Sequence, residues 1–172
     1  LRRGVYPGSF NPPTVAHLAI AELVLAQANL DSLTFVVSRR ALAKEDADNR
    51  DRPRFTDRID VLTQTLAPHP RFDLLVTDHQ LIADIADGFD VVVLGADKWH
   101  QIHDPKFYSD DLQKRDDAIN SLPKVTVAPR STLEVPSEIA LTVPETVTNV
   151  SSSLARNGQT SMMLPEALSF DE

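Results

Sequence analysis

Short runs of apolar residues recur along this chain, and polar or helix-forming segments separate them. Val91–Leu94 is the clearest run, because four consecutive apolar residues predict a strand that is buried on both faces. Leu33–Val37 is a similar run, rich in β-branched residues. We predict strands over residues 2–7, 33–37, 72–77, 91–94 and 125–128, and a candidate sixth strand over 139–143.

Segments typical of helices lie between the predicted strands. We predict helices over residues 14–28, 57–67, 78–86 and 105–121, with Thr56 as the N-cap of the second. Strands that alternate with helices form a parallel, doubly wound sheet, whose ligand sites lie at the carboxyl ends of the strands. We therefore expect one α/β, Rossmann-like domain over residues 1–172, with a sheet of 5–6 strands and a short helical segment at about 151–172.

The composition narrows the class of ligand. Of 172 residues, 42% are hydrophobic, and 17 Lys and Arg against 25 Asp and Glu give a net charge of −8. Nucleic-acid binding needs excess basic charge, so we expect no nucleic-acid partner, whereas local cations still allow a small anionic ligand. The chain has no cysteine, which fits a reducing cytoplasm. Its longest apolar stretch, residues 18–28, contains Glu22 and is too short to cross a bilayer, so we expect no membrane partner.

The segment Gly4–Leu18 carries the strongest candidate chemistry. It begins as a strand, turns at Gly8 and two prolines, and enters a helix. Free backbone N–H groups and the positive end of a helix dipole meet at such a turn, where they form a natural cradle for phosphate. Thr14 and His17, three residues apart, add a hydroxyl and an imidazole on nearly the same helix face. Taken alone, the segment is equally compatible with an ordinary turn and a packed or solvated histidine.

Two further polar segments follow predicted strands or open predicted helices. Gly95–His100 comes directly after the fourth strand, and Val150–Arg156 contains three consecutive serines. Each has an ordinary structural explanation, because glycine often ends strands while Ser and Asp often cap helices. A doubly wound sheet nevertheless brings all three segments to one edge, which favours a shared site.

These segments resemble the signatures of a known enzyme superfamily. G-S-F-N-P-P-T-V-A-H, residues 8–17, resembles the (G-x-F-x-P)-(H/T)-x-x-H signature of nucleotidyltransferases, which join a nucleotide to a phosphorylated acceptor. V-S-S-S-L-A-R, residues 150–156, resembles their I-S-S-T-x-I-R signature, and L-G-A-D-K-W, residues 94–99, resembles the segment after their fourth strand. The most detailed likeness is to the nicotinamide or nicotinate mononucleotide adenylyltransferases.

The resemblance implies that an acceptor phosphate attacks the α-phosphorus of ATP directly and releases pyrophosphate. It implies catalytic roles for His17, Thr14 and Arg156, with His17 donating a hydrogen bond to the triphosphate as charge moves to the leaving group. Mg²⁺ would arrive on the ATP phosphates, so no metal-binding residues of the protein are expected. The nucleotide contacts that the resemblance implies are Gly8, Ser9, Phe10, Gly95, Asp97, Ser152 and Ser153, with Asp97 on the ribose hydroxyls.

The phosphorylated acceptor requires positive charge, because ATP and a mononucleotide are both anionic. The candidate cations are Lys44, Arg58, Lys98 and Arg130, although a single Lys or Arg is most often a solvated surface residue. Trp99 is the only tryptophan. It is suited either to stacking on a nicotinate or nicotinamide ring or to packing in the layer behind the site.

Three alternatives stay open on the sequence. T-x-x-H also fits phosphopantetheine adenylyltransferases, and cytidylyltransferases of the same superfamily act on small phosphorylated alcohols. A nucleotide-binding protein without catalysis is the third, favoured by Ala16, Ser153 and Ala155 at positions where the family's signatures have Gly, Thr and Ile. No signal in the sequence fixes the oligomeric state.

Overall fold

Strands and helices alternate along the chain in a computed structural model that describes residues 1–10, 13–39, 55–130 and 133–144. A 3-10 helix, Pro105–Tyr108, precedes the last helix. The elements are β1 (Arg3–Pro7), α1 (Val15–Gln27), β2 (Ser32–Ser38), α2 (Phe55–Leu66), β3 (Phe72–Thr77), α3 (Ile82–Ala86), β4 (Val91–Gly95), α4 (Ala96–Gln101), α5 (Leu112–Asn120) and β5 (Lys124–Ala128).

The five strands form one parallel sheet in the spatial order β3-β2-β1-β4-β5. The expected α/β doubly wound fold is therefore confirmed. From β1, the chain builds the sheet outward through β2 and β3 and then returns to the other side of β1 with β4. Parallel strands place all their carboxyl ends at one edge, and the reversal of strand order between β1 and β4 opens a crevice there.

Two hydrophobic clusters cover the two faces of the sheet. Alternation along a strand divides its side chains, so Tyr6 of β1 belongs to one cluster and Val5 to the other. The first cluster includes residues of α1 and α2, and the second includes residues of α3. Val91–Leu94 is completely buried, as its run of apolar residues predicts for a strand covered on both sides.

The sixth strand predicted over residues 139–143 is wrong. Within the described residues, Ala140 forms only an isolated parallel bridge with Val127. The backbone N–H of Val127 donates to the carbonyl of Ile139, and that of Leu141 donates to the carbonyl of Val127, both at 2.8 Å. Prolines at 136 and 144 bracket this segment and lack the N–H groups that a longer ladder would use.

Two helix starts differ from the prediction. α2 includes Thr56 in its first turn, so Thr56 is not the cap of a helix that begins at residue 57. The helix predicted over residues 78–86 is shorter, because side chains bond the backbone that precedes α3. The Thr77 hydroxyl accepts from the His79 N–H at 3.2 Å, and the Ser38 hydroxyl donates to the His79 carbonyl at 2.6 Å. Such bonds compete with helical ones.

The single helix predicted over residues 105–121 is divided into two. Ser109 and Asp110 adopt left-handed conformations, with φ of 56° and 58°. The Asp111 carboxylate then caps α5 by accepting from the N–H groups of Gln113 and Lys114 at 2.9 and 3.1 Å. The helical segment predicted over about 151–172 lies outside the described residues.

Candidate active site

The turn after β1 is fixed by contacts with two other elements. The N–H of Gly8 donates to the carbonyl of Val36 in β2 at 3.0 Å. The Nη1 group of Arg58 in α2 donates to the carbonyl of Ser9 at 3.2 Å. Phe10 is buried and has a φ of 47°, which is uncommon for a residue with a side chain. The turn thus holds an unfavourable backbone conformation through its surroundings.

The glycine of this turn lies close to an aromatic ring. A Cβ atom on Gly8 would lie 3.0 Å from Cε2 and Cζ of the Phe10 ring, closer than ordinary van der Waals contact. The Phe10 ring in turn meets the His17 imidazole edge to face, with 4.9 Å between ring centroids. Tyr6 adds a second edge contact to Phe10, with the centroids 5.3 Å apart. Gly8 therefore supports the position of His17 through Phe10.

Thr14 and His17 lie together at the start of α1, as their spacing predicts. The Thr14 backbone N–H donates to Nδ1 of His17 at 2.8 Å, and the Thr14 hydroxyl lies 3.2 Å from the same nitrogen. Burial lowers the pKa of His17 from 6.5 to about 4, so the ring is neutral at neutral pH. Because Nδ1 accepts a hydrogen bond, the proton of the neutral ring is on Nε2. Nε2–H bonds no described residue and is available as a donor.

Arg58, expected at the acceptor site, contacts the turn after β1 in the structure. Its side chain is only 3% exposed, its guanidinium lies 5.4 Å from the centroid of the Phe55 ring, and it donates to Ser9 as described above. A residue so deeply buried is poorly placed for direct contact with an acceptor. The sequence could not reveal this burial, which depends on how α2 packs against the turn.

Asp97 and Arg130, expected in different subsites, form an ion pair. Asp97 lies in the first turn of α4, and Arg130 follows β5, the strand next to β4. Nη1 of Arg130 donates to Oδ2 of Asp97. Gly95 ends β4, and a Cβ atom there would meet no atom of the described residues within 4 Å, its chain neighbours aside. The neighbouring Lys98 is half-buried.

The Trp99 side chain packs against the second hydrophobic cluster. It is half-buried against the second hydrophobic cluster, and its ring meets that of His103 with 4.5 Å between centroids. The structure therefore favours packing over stacking on an acceptor. His100, the last residue of the Gly95–His100 segment, has its Nε2 atom 2.7 Å from the carbonyl of Glu134. This contact connects α4 to the segment after β5, and no sequence pattern predicts it.

Residues 5–158 match the family model described as cytidylyltransferase-like. The chain belongs to the cytidylyltransferase-like family. The match covers most of the chain and includes both the Gly8–His17 turn and the Gly95–Asp97 segment. The resemblance to nucleotidyltransferases found in the sequence is thereby confirmed at the level of the family.

Two curated proteins that are similar to this chain share one description, probable nicotinate-nucleotide adenylyltransferase. The chain is 25% identical over 166 residues to a probable nicotinate-nucleotide adenylyltransferase of Coprothermobacter proteolyticus, which covers 90% of this chain and 81% of the relative. It is 30% identical over 118 residues to a probable nicotinate-nucleotide adenylyltransferase of Geobacillus thermodenitrificans, which covers 58% of this chain and 53% of the relative.

Solved structures support the fold. The chain is similar to Plasmodium falciparum nicotinic acid mononucleotide adenylyltransferase complexed with NaAD, with a TM-score of 0.60, 13% identity, and coverage of 98% of this chain and 93% of that one. The same enzyme complexed with APC gives a TM-score of 0.59 at 14% identity. At this level of identity the similarity establishes the architecture of the family and no more.

Part of the predicted site lies beyond what the structure describes. Lys44, Ser152, Ser153 and Arg156 are outside the described residues, so their roles stay predictions. Strand pairing does bring the two described segments to one edge, since β1 and β4 are neighbours. Among the described residues, no group of three or more His, Cys, Asp or Glu could hold a metal ion. In the same part of the chain, no helix has the length and apolar character to cross a membrane.

Proposed function

We propose that this protein transfers the adenylyl group of ATP to nicotinate mononucleotide or nicotinamide mononucleotide and releases pyrophosphate. The family and the descriptions of the two curated relatives support this choice of reaction. The observation that carries it is the His17 ring at the start of a helix, which is neutral, fixed through Nδ1 and has an Nε2–H that bonds none of the described residues. The absence of cysteine fits our further proposal that the enzyme works in the cytoplasm.

The chain's residues suit a reaction that depends on positioning and charge stabilisation. An oxygen of the acceptor phosphate forms a bond to the α-phosphorus while the bond from that phosphorus to the bridging oxygen of pyrophosphate breaks. Nε2–H of His17 donates to a phosphate oxygen as negative charge builds on the leaving group. Thr14, which is buried, holds His17 through its backbone N–H, and the N–H groups of the Ser9–Phe10 turn provide further donors. Ser152, Ser153 and Arg156 are proposed to contact the β- and γ-phosphates.

ATP enters this reaction as its magnesium complex. The described residues offer donors and no carboxylate cluster at the turn, so they fit a metal that is held by phosphate oxygens and water. The ion would neutralise phosphate charge. Thr14 and His17 would orient the phosphate oxygens, which this acidic protein binds only where its cations and N–H groups are concentrated.

A panel of paired substrates tests the proposal. Pyrophosphate release is measured with ATP or CTP against nicotinate mononucleotide, nicotinamide mononucleotide, phosphopantetheine and glycerol phosphate, and the products are identified by mass spectrometry. We expect release only with ATP and a pyridine mononucleotide, with the dinucleotide as product. Turnover of phosphopantetheine, or turnover with CTP, would replace the proposed acceptor or nucleotide. ATP binding by calorimetry without turnover on any acceptor would favour the non-catalytic alternative.

A further inference from the structure

Arg130 and Asp97 join the segments that follow β5 and β4, at the carboxyl edge of the sheet. Asp97 is the second residue of α4, directly after the carboxyl end of β4. Arg130 lies two residues beyond β5 and reaches back across that end of the sheet. Its Nη1 group donates to Oδ2 of Asp97, and Oδ1 of the same carboxylate bonds no described residue.

The ion pair is too exposed for stability to be its main effect. The Asp97 side chain is 63% exposed and that of Arg130 is 34% exposed, and solvent screens such pairs strongly. The ion pair can instead fix the orientation of the Asp97 carboxylate. An isolated carboxylate on the surface rotates freely, whereas a guanidinium that holds one oxygen fixes the direction of the other. The Asp97 carboxylate itself is largely exposed, so its second oxygen is accessible to a ligand at this edge of the sheet.

We propose that Arg130 is a positioning residue for the nucleotide: by holding Oδ2 of Asp97, it directs Oδ1 to accept from the ribose hydroxyls of ATP. This inference rests on the proposed function, which supplies ATP as the ligand. It also changes the expectation for Arg130, which is assigned here to the nucleotide side of the site rather than to the acceptor. Asp97 makes the contact and Arg130 acts through it.

The test compares ATP with 2′,3′-dideoxy-ATP, which lacks the ribose hydroxyls. Kd values for both nucleotides are measured by calorimetry on wild type, Arg130→Ala, Arg130→Lys, Asp97→Ala and the double variant R130A/D97A. The readout is the ratio of the two Kd values in each protein. This ratio cancels the attraction of Arg130 for the triphosphate, which both nucleotides share. Lys114→Ala, which removes one exposed cation on α5, is the matched control for charge.

We expect dideoxy-ATP to bind wild type about 10-fold more weakly than ATP, because it loses hydrogen bonds to a charged acceptor. The ratio should fall to about 1 in Asp97→Ala and to below about 3 in Arg130→Ala, and the double variant should match Asp97→Ala. Arg130→Lys should recover part of the ratio, since it keeps the charge without the fork. Tm should change by less than about 2 °C in each variant, as suits an exposed ion pair.

Other outcomes overturn the inference. A wild-type ratio of about 1 would show that Asp97 does not bind the ribose hydroxyls. An unchanged ratio in Arg130→Ala, with a raised KM for the acceptor, would return Arg130 to the acceptor side. The substrate panel separates these failures from that of the proposed function. A ratio that collapses in Arg130→Ala, without turnover on any acceptor, would support the positioning role and refute the proposed reaction.

Discussion

At the scale of the residue, one hydrogen bond gives His17 both a structural and a chemical role. Accepting the Thr14 N–H satisfies a backbone donor at the start of α1, where four N–H groups lack partners within a helix. The same bond fixes the tautomer, so the ring presents Nε2–H away from the cap. A packed histidine and a phosphate-binding histidine are therefore compatible interpretations of the same side chain.

Substitution of His17 should separate these two roles. His17→Ala should reduce kcat by about 10²–10³, because it removes a donor that acts on developing charge. His17→Gln should lose less, since its amide can place an N–H near the position of Nε2. Pyrophosphate release at saturating substrate measures both, with the far-UV circular dichroism spectrum as the control for folding. Equal turnover in His17→Ala and wild type would contradict the assigned role.

The lowered pKa of His17 also predicts a dependence of stability on pH. Its value of about 4 in the folded protein lies below the ordinary 6.5, so the unfolded chain binds more protons between these values. The contribution of His17 to the free energy of unfolding is therefore fully present above pH 6.5 and is lost as the pH falls towards 4. Because the ring is only half-buried, we expect a loss of about 2 kcal/mol, less than the full shift implies.

Urea unfolding at pH 7.0 and pH 4.5 measures this loss as a difference between wild type and His17→Gln. Carboxylates titrate in both proteins and cancel in the comparison. The same decrease in the free energy of unfolding in both would show that His17 does not carry the effect.

At the scale of the element, the turn after β1 is a strained connection held by its neighbours. Gly8→Ala should push a methyl group against the Phe10 ring, 3.0 Å away, and overpacking of this kind costs about 1–3 kcal/mol. The shift would reach His17 through the ring contact and lower kcat. Phe10→Leu frees space at the same place, so the double variant G8A/F10L should be less impaired than the sum of the single ones.

Urea unfolding and pyrophosphate release on the four proteins complete this cycle. A coupling of zero in both measurements would mean that Gly8 and Phe10 act independently, and the proposed route from Gly8 to His17 would then be wrong.

The elements also show what a sequence pattern can and cannot determine. β3 begins and ends at the predicted residues, because its β-type residues, Phe72 and Leu74–Thr77, are a local signal. The helix before β4 is shorter than predicted because the Ser38 hydroxyl, 41 residues away, bonds the backbone at His79. The break between the 3-10 helix and α5 lies at Ser109 and Asp110, and neither residue is the glycine that would predict a left-handed conformation.

The candidate site likewise combines contacts that local sequence predicts with contacts between distant residues. The pairing of Thr14 with His17 is local and was predictable from their spacing. The burial of Arg58 and its bond to Ser9, 49 residues away, depend on packing between α2 and the turn. The Arg130–Asp97 pair likewise needs β5 beside β4, a neighbour relation that individual residues do not encode.

At the scale of the whole molecule, the proposed ATP site belongs to both halves of the sheet. The turn after β1 and the Gly95–Asp97 segment are brought together only by the pairing of β1 with β4. ATP at about 100 times its Kd should therefore stabilise the fold by about 2.7 kcal/mol as one unit.

Hydrogen exchange measured by mass spectrometry should show slower exchange in β1 and in β4 when ATP is added. His17→Ala, which removes the proposed phosphate contact, serves as the control and should show weaker protection in both strands. Protection confined to β1 would mean that the second segment does not bind the nucleotide.

The central position of β1 has a consequence for synthesis of the chain. The strand is made first, yet its neighbour β4 lies about 87 residues later, as the contact from the Arg3 N–H to the Asp90 carboxylate shows. While the ribosome completes the residues between them, one side of the central strand presents unpaired N–H and C=O groups. A chain that stops after β3 would therefore be an aggregation-prone fragment rather than a smaller working domain. The feature that creates the crevice also makes the nascent protein dependent on reaching β4.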